Sequence, residues 1–266
     1  LFSVSKKINE FQKPHFMKKF VALMMSLTIV SVFLFGQNEK KISIDPSCEL
    51  VSSYLWRGLP SYSVLGGTDV ILGPNFQPGI TLTTPGGFRA GAWGSTDFTG
   101  EYKETDLFLG FETENLTVEL WDYYWVPDWS SSEYFNYNND ETGHIIEGIL
   151  MYSFSEIPLK LTLGTMLYGA DKKYDDPDKN AYSTYLEAAY SWDVSGNEIT
   201  VAAGVTPRDG LYGDSYGGED GFALVNLSAT ANRTIKISDS FELPVWGSLI
   251  ANPQYNKIFL VFGISL

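Results

Sequence analysis

The sequence predicts an all-β fold, a transmembrane antiparallel up-and-down β-barrel of twelve strands. Three observations carry that expectation. From Ser47 to Leu266 the chain divides into segments of roughly ten residues in which apolar side chains alternate with polar or small ones, the period of a strand with one apolar and one wet face. The connections between segments are alternately short and long, as when tight turns lie at one rim of a barrel and loops at the other. Aromatic residues collect at segment ends, where the interfaces of a membrane would fall. In lipid every backbone N–H and C=O must be paired internally, and a closed antiparallel barrel is the all-β arrangement that achieves this.

Residues 1–16 read as an upstream extension from a mis-assigned start, because Met17 followed by Lys18 and Lys19 opens a better one. Residues 17–36 have the charged, apolar and small order of a secretory signal peptide, with cleavage expected near Gly36. The apolar run 20–35 is short for a membrane-spanning helix. Residues 37–46 are expected as a periplasmic N-terminal segment and 47–266 as the barrel. This order predicts export to the outer membrane of a Gram-negative bacterium.

Strands are predicted at 48–57, 75–83, 88–95, 105–113, 116–126, 144–153, 159–168, 182–192, 199–206, 221–230, 241–251 and 257–266. The two-residue period is clearest in the middle of the chain. Leu116, Val118 and Leu120 alternate with Thr117 and Glu119, and Leu159, Leu161 and Leu163 alternate with Lys160, Thr162 and Gly164. The last segment presents Ile258, Leu260, Phe262, Ile264 and Leu266 on one face, a pattern that barrel-assembly machinery would read. Short connections rich in turn formers fall at 84–87, 114–115, 154–158 and 193–198, and long ones at 58–74, 96–104, 127–143, 169–181 and 207–220. The stretch 231–240 is long for its rim. Pro244 and Pro253 weaken the last hairpin, since proline cannot donate to a ladder. Tyr54 and Trp56, the group Tyr123, Tyr124, Trp125 and Trp129, and Tyr168, Tyr182, Tyr190 and Trp192 are assigned to the interfacial girdles.

Net charge is −14, and beyond residue 36 the chain keeps 13 of its 18 basic and 31 of its 32 acidic side chains. Such a surface repels phosphates, so nucleic acid is not an expected partner. Cys48 is the only cysteine, which excludes an internal disulfide and a cysteine-based metal site. No cofactor or metal is expected.

With the apolar faces outward, the lumen receives Arg57, Arg89, Asp106, Glu112, Glu119, Glu147, Lys160 and Glu187. An Arg or Lys on the lipid face near mid-membrane would cost ~2–4 kcal/mol, which favours the inward assignment. Such a set lines a water-filled constriction that draws cations, or it forms a salt-bridged plug that closes the barrel. The alternative from another class is a lipid-modifying enzyme built on His144, which alternation places on the outward side at the loop rim. No serine partner or motif accompanies it, so enzymatic activity is not expected. The carboxylates of 171–180 lack the spacing of a calcium loop and read as solvated or lipopolysaccharide-adjacent.

Several stretches resemble one family. Val51-Ser-Ser-Tyr-Leu-Trp-Arg-Gly58, Phe76-Gln-Pro78, Gly87-Phe88 with Gly91-Ala-Trp-Gly-Ser95, Asn252-Pro253 and Phe262-Gly-Ile-Ser-Leu266 are similar to segments of the TorF-like porin family of Bacteroidota-type bacteria. The resemblance implies an outer-membrane barrel that passes small polar solutes, neutral or cationic, among outer-membrane lipids and lipopolysaccharide. It brings no catalytic residues.

Overall fold

The computed structural model describes residues 41–60, 73–100, 102–126, 132–173, 175–208, 210–212 and 221–266. Among the described residues there are fourteen strands: β1 (Ser43–Val51), β2 (Leu55–Trp56), β3 (Leu59–Pro60), β4 (Asn75–Thr83), β5 (Phe88–Asp97), β6 (Lys103–Glu112), β7 (Leu116–Tyr124), β8 (His144–Ser153), β9 (Leu159–Gly169), β10 (Thr184–Val194), β11 (Asn197–Thr206), β12 (Ala223–Ser238), β13 (Phe241–Asn252) and β14 (Lys257–Ser265). Twelve of them form one closed barrel, with each strand antiparallel to its neighbours and β1 closing the ring between β14 and β4. The remaining two, β2 and β3, are a miniature hairpin inside the β1–β4 connection. Among the described residues there is no helix.

The connections obey local chemistry. Between β10 and β11 the turn is two residues, Ser195 and Gly196, both at positive φ (54° and 80°), the geometry that matches the twist of a tight hairpin. The stretch 231–240 is mostly strand rather than loop. Here β12 runs 16 residues to Ser238, pairs with β13 down to Phe241, and leaves Asp239 and Ser240 as the turn. Pro244 pairs only toward β12, beyond the last β13–β14 pair at Val245, so its missing donor faces an unpaired edge. Pro253 lies in the turn after β13.

The first wall strand differs from its expected span. It starts at Ser43, so four residues of the expected periplasmic segment are barrel wall, and it ends at Val51. Residues 52–57 therefore leave the wall. Trp129 lies outside the described residues, as do 1–40 with the expected signal peptide.

The outer wall is apolar along its length. Ile80, Leu107, Val118, Leu161, Val201, Leu249 and Leu260 are exposed large apolar side chains on the outward parity of seven different strands. Tyr152, Tyr190 and Trp192 lie outward toward the turn rim, and Phe76, Tyr168 and Tyr182 toward the loop rim.

Candidate functional site: the closed loop end of the lumen

The inner wall is built in layers, because each strand turns every second residue inward. One layer in the loop half contains Val51, Asn75, Ser95, Asp106, Tyr123, Glu147, Met166, Tyr185, Thr206, Val225, Asn252 and Val261, one residue from each of the twelve strands. All are buried, and Glu147, Met166, Val225 and Asn252 have no exposed surface. A cross-section of buried side chains around the whole circumference leaves the lumen filled at this level.

What fills it is the β2–β3 hairpin. The chain leaves β1 after Val51, and Trp56 pairs with Leu59 across a two-residue turn of Arg57 (φ 52°) and Gly58 (φ 80°). A left-handed conformation costs a non-glycine residue about 1–2 kcal/mol, so Arg57 must be held by its surroundings. Its guanidinium binds Glu147 in a fork, Nη1 to Oε1 at 2.6 Å and Nη2 to Oε2 at 3.1 Å, and Nη1 also donates to the Tyr212 hydroxyl at 2.6 Å. The Trp56 and Tyr185 rings lie 4.5 and 4.8 Å from Arg57 Cζ, and Tyr123 donates its hydroxyl to Glu147 Oε2 at 2.8 Å. These charge-assisted bonds offset part of the cost of burying the pair.

Three features of the wall make room for the hairpin. Gly164 has no side chain where a Cβ would collide with Glu147 Oε1 and come within 2.8 Å of Arg57 Nη2. A β-bulge adds Val225 to β12 opposite Gly204 and Val205, and its carbonyl occupies the space a Cβ on Gly58 would need. Asn252 of β13 donates to the Gly58 carbonyl at 3.1 Å, closing a contact across 194 positions of sequence. Around this polar centre Leu59, Tyr102, Tyr123, Trp125, Ile145, Met166, Tyr185 and Tyr212 form one apolar cluster, with Tyr54 and Trp56 packed against it.

The structure reassigns part of the aromatic set. Tyr54, Trp56, Tyr123 and Trp125, expected in an interfacial girdle, face the lumen and form the plug core. Their parity was available: Trp121, Tyr123 and Trp125 follow Glu119 at even spacing, so they share its inward side. Arg57 sits on the plug rather than on the wall.

Below this layer Gln77, Phe108, Glu119, Ile149 and Ser248 are buried inward side chains, and exposed inward charges appear only toward the turn rim. Arg89 reaches Glu112 at 2.9 Å and Glu119 at 3.0 Å, the second across Gly110, where a Cβ would lie 2.6 Å from Glu119 Cγ. Glu187 accepts bonds from Tyr185 and Asn226 and so ties this region to the plug. Lys160 points inward near the turn rim and is exposed. Asp106 accepts the Tyr124 backbone N–H at 3.3 Å and lies in the buried layer. Arg57 and Glu147 thus form one centre, and Arg89, Glu112 and Glu119 a second; Asp106, Lys160 and Glu187 join neither ion pair.

His144 faces outward at the loop rim yet has no exposed surface, because residues 132–143 fold back over the outer wall. Its Nδ1 lies 2.6 Å from Asp122 Oδ1 and its Nε2 2.5 Å from the Tyr134 carbonyl, while the Tyr137 ring stacks on it at 4.0 Å and donates to Asp122. Both ring nitrogens face these acceptors, an arrangement that fastens a loop and leaves neither directed at a serine hydroxyl.

No protein-family model matches this chain, and no curated protein matches it.

Proposed function

We propose that the protein is a bacterial outer-membrane β-barrel whose passage is held shut at the loop end by its own β2–β3 hairpin. One observation carries this reading: all twelve strands contribute a buried inward side chain to one layer, with the Arg57–Glu147 pair at its centre. The membrane setting is supported by the apolar outer wall with aromatics toward both rims, and by the resemblance of the Ser53-Tyr-Leu-Trp-Arg-Gly58 stretch to TorF-like porins. Outer-membrane lipids, lipopolysaccharide at the loops and the assembly machinery during insertion are its proposed partners. The test is single-channel conductance of folded protein in a planar bilayer. Silence from wild type, with steps appearing once 54–60 are replaced by a Gly-Ser linker, is the expected result; steady conductance of wild type overturns it.

A second reading has its own observation. Beneath the plug, small inward positions such as Ser47, Gly79, Gly91, Ala189, Ala202 and Ser228 alternate with the inward rings of Trp93, Phe108, Trp121 and Trp246, and charged side chains line the space toward the turn rim. A porin for small polar solutes, neutral or cationic, would use this space once the hairpin withdrew. Cation-selective openings of wild type under voltage would favour it.

A further inference from the structure

The outer wall departs from its apolar uniformity at one place toward the turn rim. Across the sheet, Trp192, Ile199, Ala231, Gly247 and Phe262 are successive partners on β10 to β14, all on the outward side. Ala231 and Gly247 are small, so the wall sinks into a valley between Ile199 and Phe262, and the Phe262 ring edge comes within 3.3 Å of a Cβ placed on Gly247. The groove, of about 380 Å³, continues to Val245 and Ile264 and ends at Asn197 and Arg233.

Arg233 is exposed and has no carboxylate partner among the described residues. It is also the one outward-facing cation in the turn-end half of the described wall strands; Arg89, Lys160 and Lys236 lie on the inward parity. Its depth follows from the register. It lies one outward step toward the rim from the row containing Trp192, an interfacial residue, which is the level of lipid headgroups. The last β11–β12 pair is Glu198 with Asn232, so the valley opens toward the rim beside Arg233.

We infer that this groove binds one anionic phospholipid of the periplasmic leaflet, with Arg233 on the phosphate and an acyl chain along Ala231 and Gly247. Complementarity of charge selects the occupant: an unpaired guanidinium at headgroup depth in an acidic protein has a lipid phosphate as its nearest available counter-ion, and an apolar valley continues from it toward mid-membrane. The inference rests on the outer-membrane reading.

The experiment is native mass spectrometry of the full chain refolded with phosphatidylglycerol or with phosphatidylcholine, after detergent removal. One phosphatidylglycerol should be retained in preference to phosphatidylcholine, and Arg233→Gln should lower its retention about tenfold, the loss of one charge-assisted contact. Ala231→Val, which narrows the valley without touching the charge, should lower retention of both lipids. Equal retention by Arg233→Gln and wild type overturns the inference, as does displacement of lipid by millimolar glycerol phosphate, which would mark a bare phosphate contact. A protein that never acquires heat-modifiable mobility or inserts in vesicles refutes the membrane reading itself; a folded, inserted protein indifferent to lipid charge refutes the lipid site alone.

Discussion

Removing the guanidinium from the plug should open the barrel. In Arg57→Met the Glu147 carboxylate, with no exposed surface, keeps among the described residues only the Tyr123 hydroxyl as a donor. Breaking a buried pair by deleting one partner costs ~3–5 kcal/mol. Glu147 escapes that penalty if the hairpin lifts and water enters, so the cost falls on the docked state. At about 1.4 kcal/mol per tenfold, the docked-to-undocked ratio should drop by roughly two to four powers of ten. Arg57→Met/Glu147→Leu removes both charges, and replacing a buried pair by apolar side chains is close to neutral, so most of the closure should return. The return should be incomplete, since Tyr123 and Tyr212 lose their partners. The assay is open probability in planar bilayers for the four members of the cycle. If Arg57→Met is folded and inserted yet as silent as wild type, or if the double variant is as open as the single one, the pair does not hold the plug.

Gly164→Ala puts a methyl group into Glu147 Oε1, so it should raise open probability while leaving the wall register intact, checked by conductance alongside unchanged β-sheet circular dichroism. His144→Ala removes the fastening of 132–143 to the outer wall and leaves Asp122 with Tyr137 alone; that loop should become sensitive to limited proteolysis at a cost of about 1–3 kcal/mol, with the barrel still resistant. In the β9–β10 loop, burial pushes the Asp171 carboxyl above its ordinary range, opposed by the Ser183 hydroxyl and N–H that it accepts. The folded state then holds this proton more tightly than the unfolded chain does. Its contribution to stability is full below the unfolded carboxylate pKa and is lost as pH rises through the folded value. Asp171→Asn should flatten that fall, read as amide-exchange protection of Ser183 against pH; an unchanged slope would contradict it.

Wall strands were legible because a barrel strand declares itself by parity, and β4 and β8 match their expected spans at both ends. The long β12 was hidden because 231–238 mixes charges with isoleucines where the hairpin runs past its neighbours, so a projecting strand resembles a loop. The plug was hidden for another reason. Tyr54, Leu55 and Trp56 continue the apolar character of β1, and only the Arg57-Gly58 turn signals a reversal. The inward partners of Arg57 come from β8 and the 210–212 segment, and no local pattern relates positions 90 and 155 residues apart. His144 was placed on the correct side, but its covering by Tyr134 and Tyr137 depends on how a loop returns.

The hairpin lies early in the chain, between β1 and β4, yet its seat is made by Glu147 on β8, Tyr185 on β10, Val225 on β12 and Asn252 on β13. Those residues surround it only when the sheet has curled into a ring. A partly assembled sheet has no seat to offer, and contacts of such sequence separation form late. Docking of Arg57 therefore reports that the seam between β1 and β14 has sealed, and an arrested assembly intermediate should carry the hairpin loose and open to proteases.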